Sequence, residues 1–260
     1  MTTTSQIPDW LGVAASVLLV GISVAVAMRA RLGLTRDLVW ASFRAFAQLL
    51  AVGAVLTVLF THAGLLGALV WVAGMVLVAG FVVAGRSREL PRARATAWIA
   101  VGVGTSTTLG VLLVLGVIEP VPSVVVPVGG MVVSGAMTAT NLTMRRLAEI
   151  AQQQRADIEA RLALGLTAAQ AMAPHLRSAV SSALLPAIDS TKVVGLIALP
   201  GAMTGLILAG VEPIVAIRYQ IVVMYMLLAA AAVSAIVASR LTQRALFDDA
   251  DRLYRVAARS

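Results

Sequence analysis

Residues 63–85 read AGLLGALVWVAGMVLVAGFVVAG, an unbroken run of apolar and small side chains that contains no charge. A helix needs about 20 such residues to cross the hydrocarbon core of a bilayer. The run does not alternate between apolar and polar positions, so it does not indicate a strand of a transmembrane barrel. This stretch predicts a membrane-spanning helix. Several runs of the same kind in one chain predict an all-α polytopic membrane protein.

The same pattern recurs on both sides of this run. Stretches rich in Val, Leu, Ala and Gly are separated by short connections, except for one long polar segment, 143–192. We expect a single transmembrane domain over 1–260. Its seven predicted spans are approximately 10–28, 38–60, 63–85, 96–118, 121–142, 193–211 and 214–238.

The composition points to lipid as the solvent of this chain. Hydrophobic residues make up 60% of it and charged residues only 12%, whereas soluble domains carry about 25% charged residues. The absence of cysteine excludes disulfides, thiolate metal sites and cysteine nucleophiles. We interpret the net charge of +8 as a topology signal rather than as an affinity for nucleic acid.

Arginine-rich connections alternate with connections that contain no Arg or Lys. Arginines occur in 29–36, 86–94, 145–177 and 240–259, but Arg and Lys are absent from 1–9, 61–62, 119–120 and 211–213. Because basic loops remain in the cytoplasm, the pattern predicts an outer N-terminus and an inner C-terminus in the cell membrane. The polar segment 143–192 is then cytoplasmic.

The first part of this cytoplasmic segment, 143–164, predicts a helix that continues the fifth span. Pairs of opposite charge four residues apart support it, namely Arg145–Glu149, Arg155–Glu159 and Asp157–Arg161. Gly165 suits a left-handed helix end, and Thr167 with Gln170 forms a capping-box pattern that starts a new helix. Pro174 is expected to end or kink that helix after one or two turns.

A short helix held out from a membrane bundle suits docking into a groove of a soluble partner. The alternative is a hairpin that packs on its own bundle. The residues assigned to coupling with a partner are Glu159, Ala160, Gly165, Thr167, Ala169, Gln170 and Met172.

The run 159–165, EARLALG, resembles the EAA-x-x-x-G loop of ABC-transporter permeases, with Arg161 in place of the second alanine. The flanking sequences sharpen the resemblance. The stretches 136–140 (AMTAT), 189–196 (DSTKVVGL), 199–205 (LPGAMTG) and 218–224 (RYQIVVM) resemble the FetB/YbbM family, which is related to plant aluminium-sensitive and STAR-type permeases. The chain departs from the family pattern at Ser134-Gly135 and at Asp189.

This resemblance implies a homodimeric permease that exports iron or another metal ion. A separate ATP-binding subunit would hold ATP and Mg²⁺ and drive it, so that this chain binds no cofactor and has no catalytic residue. The sequence agrees, since it contains no G-x-x-x-x-G-K-[ST] motif. The glycine-rich stretch 102–106 lies inside the fourth span and indicates helix packing instead.

Polar residues and Met within the spans are candidates for the substrate path. The sixth span contains Pro200-Gly201, and broken helices often line transport cavities. Each candidate has a packing or interfacial alternative; for Arg44 this is reaching the headgroups. The candidates are Arg44, Gln48, Met137, Thr138, Asn141, Met203, Thr204 and Gln220.

Two other functions compete with an ABC permease. A stand-alone secondary carrier or channel is favoured by a buried Asp or Glu within a span, and the predicted spans contain none. An intramembrane enzyme needs a catalytic dyad or a metal cluster at the same depth, which the sequence does not offer. The residues alone leave the substrate, and any metal site, unknown.

Overall fold

The computed structural model describes residues 10–31, 33–62, 64–248 and 250–254. The predicted outer segment 1–9, Arg255 and Arg259 lie outside these residues. The described chain is helical, with two isolated bridges and no named strand. Its helices are α1 (Trp10–Arg29), α2 (Thr35–His62), α3 (Gly64–Arg86), α4 (Ala93–Val114), α5 (Pro122–Gln153), α6 (Arg155–Ala163), α7 (Ala168–Val193), α8 (Gly201–Leu208) and α9 (Pro213–Leu246).

The fold class is confirmed: this is a polytopic helical membrane protein. In the described residues, α1 to α5 and α9 are each long and apolar enough to span a membrane. Pro122 and Pro213 begin α5 and α9 at the first helical position, where the missing N–H of proline removes no intrahelical bond. These two helices are the longest in the fold and extend beyond the predicted spans.

The predicted sixth span, 193–211, is not one continuous helix. α7 runs to Val193, residues 194–200 are irregular, and α8 contains only 8 residues, about 12 Å of helix. Gly195 has a φ of +80°, a left-handed conformation that interrupts the helix. Pro200 adds a residue without a backbone donor directly before α8. The helix is therefore broken, as Pro200-Gly201 suggested, but the break starts earlier.

Helix α7 also corrects the expected end at Pro174. It continues through Pro174 and Pro186 for 26 residues, although an interior proline costs about 3 kcal/mol. Its buried residues, Ala171, Met172, His175, Ala179 and Ala183, recur along one face of the helix. Tertiary packing of this face outweighs the local preference to stop. The predicted helix 143–164, in contrast, is interrupted at Gln154, between α5 and α6.

The chain forms two compact units. The first comprises 1–63 and 208–210, and in it α1 packs against α2. The second comprises 64–207 and 211–260. In the second unit α5 and α9 pack on each other and form the centre, with α3, α4 and α7 around them.

Small residues allow the helices of the second unit to approach closely. A Cβ added to Gly104 in α4 would overlap the Ser234 hydroxyl of α9 and lie 3.1 Å from the Ala230 carbonyl oxygen. Close backbone approach of this kind is a principal source of helix association in membranes. The interpretation of 102–106 as a packing element is confirmed.

The arginine-rich connections of the second unit meet at one end, as the charge pattern predicts. One buried apolar cluster joins Leu90 of the α3–α4 connection, Ile158 of α6, Met172 of α7, and Phe247 and Leu253 beyond α9. We call this the basic end. Glu119 and Glu212 lie in the connections at the other ends of α5 and α9, which we call the acidic end.

Candidate functional site

The sequence-predicted coupling residues lie in a helix–turn–helix at the basic end. We call this element, residues 155–172, the tip. Gly165, with a φ of +88°, makes the turn between α6 and α7. Its N–H donates to the Leu162 carbonyl at 2.9 Å, which closes the end of α6. Leu164 beside it is 83% exposed. The predicted left-handed turn is confirmed, and it presents an apolar side chain to the surroundings.

The start of α7 is held by the predicted capping box. The Gln170 N–H donates to the Thr167 hydroxyl at 3.3 Å, and the Thr167 N–H donates to the Gln170 side-chain oxygen at 3.0 Å. These reciprocal bonds satisfy two donors that a helix start otherwise leaves free. They set the direction in which α7 leaves the turn.

The tip has an exposed face and a buried face. Most of the predicted coupling residues are exposed: Glu159, Ala160, Gly165, Thr167, Ala169 and Gln170. Met172 is fully buried beside Ile158, as is Ala171. Met172 therefore anchors the tip in the core, and it does not belong to the surface that a partner can reach.

Two of the three predicted charge pairs stabilise the tip. The Arg155–Glu159 and Arg161–Asp157 pairs form at 2.6 and 3.0 Å. The third prediction is wrong, because Glu149 pairs with Arg146 at 3.2 Å instead of with Arg145. Arg146 lies three residues from Glu149, and that spacing also places two side chains on one helix face.

The chain beyond α9 folds back onto the tip, which the sequence analysis missed. We call 247–248 together with 250–254 the C-terminal segment. The Arg155 guanidinium donates to the carbonyls of Leu253 and Tyr254 at 3.1 and 3.2 Å. The Asp251 carboxylate accepts from the Ala168 N–H at 3.3 Å, at the first turn of α7. The segment thus joins both helices of the tip to the end of α9.

The C-terminal segment has its own local order. The Asp248 carboxylate accepts from the N–H groups of Ala250 and Arg252 at 2.9 and 2.8 Å, and Phe247 and Leu253 are buried. The sequence signal that could have predicted this fold-back is the pair of apolar residues, Phe247 and Leu253, on either side of an aspartate-rich stretch. A cavity of about 470 Å³ lies between the tip and α9 and is lined by residues that include Thr167, Ala169, Arg240, Arg244 and Asp251.

A second candidate region is a groove between α5, α7 and α9, about 360 Å³ in volume. We call it the groove. Thr138 lines it, as predicted for the substrate path, together with Met131 and Ser134 from α5 and Ser190 from α7. Met137 does not line it, because its side chain packs against the buried cluster on the other side of α5.

The remaining path candidates are spread over the fold. Asn141 and Gln220 are buried, and their side-chain oxygens have no hydrogen-bond partner. Thr204 lies in α8 beside Met203 and donates to the Pro200 carbonyl at 3.0 Å. Arg44 and Gln48 are exposed on α2, in the first compact unit.

Within the described residues, no group of three or more His, Asp or Glu side chains is arranged to hold a metal ion. The groove itself offers hydroxyl groups and the Met131 thioether, which bind metal ions only weakly.

Comparison with known proteins identifies relatives over most of the chain. Residues 10–247 match the family model described as "Uncharacterised protein family (UPF0014)". The UPF0014 membrane protein STAR2 of rice is 43% identical over 239 residues, which cover 92% of this chain and 84% of that protein. No solved structure matches.

Two further relatives carry descriptive names. The "Probable iron export permease protein FetB" of Escherichia coli is 37% identical over 240 residues, covering 92% of this chain and 93% of FetB. The Arabidopsis "Protein ALUMINUM SENSITIVE 3" is 37% identical over 240 residues, covering 92% of this chain and 88% of that protein.

Proposed function

Because the chain belongs to the UPF0014 family of membrane proteins, we propose that it is the membrane permease of an ATP-driven exporter of a metal cation. ATP and Mg²⁺ bind a separate subunit, and this chain supplies the path. The metal cargo and the outward direction follow the name of the relative FetB. The observation that carries the ATP-driven mechanism is the form of the tip, which is exposed on one face and anchored in the core on the other.

The tip has the mechanical properties of a coupling element. A partner can contact Leu164, Ala169 and Gln170, which are exposed. A push on this surface reaches the core through Ile158 and Met172, both fully buried. Packed interiors transmit such displacements because they contain little free space.

The C-terminal segment provides a second connection to the bundle. Arg155 and Asp251 tie the tip to the end of α9, the helix that crosses the centre of the second unit. Displacement of the tip therefore moves α9 directly. Since α9 borders the groove through Leu227 and Ala231, this movement changes the shape of the groove.

Two copies of the chain complete the path in this proposal. Ser134 and Thr138 are exposed on α5 near the middle of its apolar stretch, and the Thr138 hydroxyl donates within the helix to the Ser134 carbonyl at 3.0 Å. A second copy facing this surface encloses the hydroxyls and the groove between two protein walls. The transported ion then crosses without contact with lipid.

The proposal is tested by reconstituting the chain in liposomes with its cognate ATP-binding subunit. We expect co-purification of the two proteins and ATP-dependent movement of a metal cation. Gly165→Pro and Ala169→Trp should abolish transport while the permease remains folded in the membrane. Transport of equal rate without ATP or the subunit refutes the ATP-driven mechanism and selects a stand-alone carrier.

A further inference from the structure

The end of α7 lies deep within the membrane-spanning part of the second unit. Ser190 borders the groove together with Ser134 of α5 and Leu227 of α9. Ser134 is near the middle of the apolar stretch 122–144 and roughly 18 Å along α5 from Pro122, at 1.5 Å per residue. Leu227 is roughly 21 Å along α9 from Pro213. The last turn of α7 is therefore close to mid-depth.

The outward face of α7 is polar over this depth. Val180, Leu184 and Ala187 pack on Ala139, Ala231 and Ala235. The opposite face is exposed and includes Ser178, Ser181, Ser182, Leu185, Asp189 and Lys192. These positions recur at helical spacing, so they form one continuous stripe that leads from the basic end toward mid-depth.

This stripe ends in an ion pair. Lys192 Nζ lies 3.5 Å from Asp189 Oδ1, and both side chains are about two-thirds exposed. Ionised groups at such depth cost several kcal/mol when they face lipid, and they face water or other polar groups in folded membrane proteins. The stripe is thus unsuited to lipid and suited to a wall of a hydrated path.

The helix stops at the same point. Beyond α7 the N–H groups of Leu196 and Ile197 donate to the Val193 carbonyl, and none of the described N–H groups after the helix donates to the carbonyls of Thr191 or Lys192. These carbonyls belong to the last turn, where an α-helix leaves its acceptors without intrahelical partners. The carbonyls at a helix C-terminus carry partial negative charge and attract cations. Half-helix ends of this type, with unwound backbone beside them, coordinate cations at mid-depth in transporters.

From these observations we propose that the break after α7 is a cation-binding site, with Asp189 as its carboxylate and the last-turn carbonyls of Thr191 and Lys192 as neighbouring ligands. The inference rests on the proposed function for its place in a transport path, and its substrate class is a hard divalent cation. Oxygen-only ligands select such ions. In this proposal a cation from the basic end reaches the site along the stripe.

Lys192 acts in this site as an internal competitor. Its ammonium pairs with the Asp189 carboxylate at 3.5 Å when no cation is bound. An arriving divalent cation displaces the ammonium and takes its place. Removal of the Lys192 charge is therefore expected to strengthen cation binding, and removal of the Asp189 charge to weaken it.

Binding is measured without ATP or any partner, on the chain in zwitterionic nanodiscs. Mn²⁺ is the probe, because its free concentration is read from its electron paramagnetic resonance signal. We expect saturable binding that weakens at least tenfold in Asp189→Asn, persists in Asp189→Glu and strengthens severalfold in Lys192→Gln. Glu119→Gln, which removes an exposed carboxylate at the acidic end, is the control and should bind as the parent chain does.

Equal Mn²⁺ binding by Asp189→Asn and the parent chain overturns the site. If Asp189→Asn does not fold, the Lys192→Gln variant tests the proposed site instead. Mn²⁺ binding by Lys192→Gln that is equal to or weaker than that of the parent chain also refutes the site. The result is separate from the test of the proposed function. If Mn²⁺ binding depends on Asp189 but transport does not depend on ATP, the cation site is supported and the ATP-driven mechanism is refuted.

Discussion

The link between the tip and α9 is tested most directly by Arg155→Ala. Arg155 makes two charge-assisted hydrogen bonds to the C-terminal segment, at 3.1 and 3.2 Å, with its side chain 34% exposed. Such bonds contribute about 1.5–3 kcal/mol each when they are well shielded. Partial exposure and the water that replaces the guanidinium reduce this to about 1.5 kcal/mol for the pair.

A loss of that size increases the local opening of the C-terminal segment about tenfold. Hydrogen exchange measured by mass spectrometry on the chain in nanodiscs reports this opening. We expect faster exchange in peptides that cover 247–254 and the tip, and unchanged exchange in α3 and α4. Arg155→Lys should restore only part of the protection, since an ammonium cannot reproduce the forked geometry of a guanidinium.

Arg145→Ala is the matched control, because Arg145 is exposed at the same end, while the described hydrogen bonds to the segment come from Arg155 and Ala168. Asp251→Gly provides an independent perturbation. It keeps the φ of +54° accessible but removes the bond to the Ala168 N–H. Exchange equal to that of the parent chain in both Arg155→Ala and Asp251→Gly would show that the segment does not hold the tip.

Further predictions concern packing and the turn. Gly104→Ala should lower the thermal unfolding midpoint in detergent by several degrees, because the new methyl group meets Ser234, whereas Gly110→Ala, with open space around it, should leave the midpoint unchanged. A midpoint for Gly104→Ala within error of the control contradicts the close α4–α9 approach. Gly165→Ala should destabilise the turn by about 1–2 kcal/mol, since its φ of +88° is strained for any residue with a Cβ; unchanged protection of the tip in hydrogen exchange would be the contrary result. Thr167→Ala should cost about 1 kcal/mol and fray the start of α7, while Thr167→Ser keeps the cap and the parent exchange rates.

Local patterns predicted the tip well because its signals act over three or four residues. The turn at Gly165, the Thr167–Gln170 capping box and the Arg155–Glu159 pair each depend on neighbours along one helix or turn. Backbone geometry and short-range hydrogen bonds decide such features almost independently of the rest of the fold. The burial of Met172 could not be anticipated in the same way, since it depends on which face of α7 meets the core.

The second compact unit shows where local reasoning failed. Pro174 is a stronger helix breaker than Gly195, yet α7 continues through Pro174 and ends just before Gly195. Around Pro174, burial of Met172 and His175 offsets the lost hydrogen bond, and no comparable burial follows Val193. Hydropathy alone therefore assigned the sixth crossing to 193–211, whereas α7 already packs along α5 and α9 before this stretch begins.

The sequence by itself determined that this chain is a helical, multi-pass membrane protein, because the number and length of apolar runs leave no other solvent for them. It also determined the family and the chemistry of the turn at the tip. Only the tertiary structure decided that the C-terminal segment holds the tip and that the end of α7 borders a groove with α5 and α9. Both facts depend on contacts between residues far apart in the chain, and a linear pattern carries no record of which helix faces which.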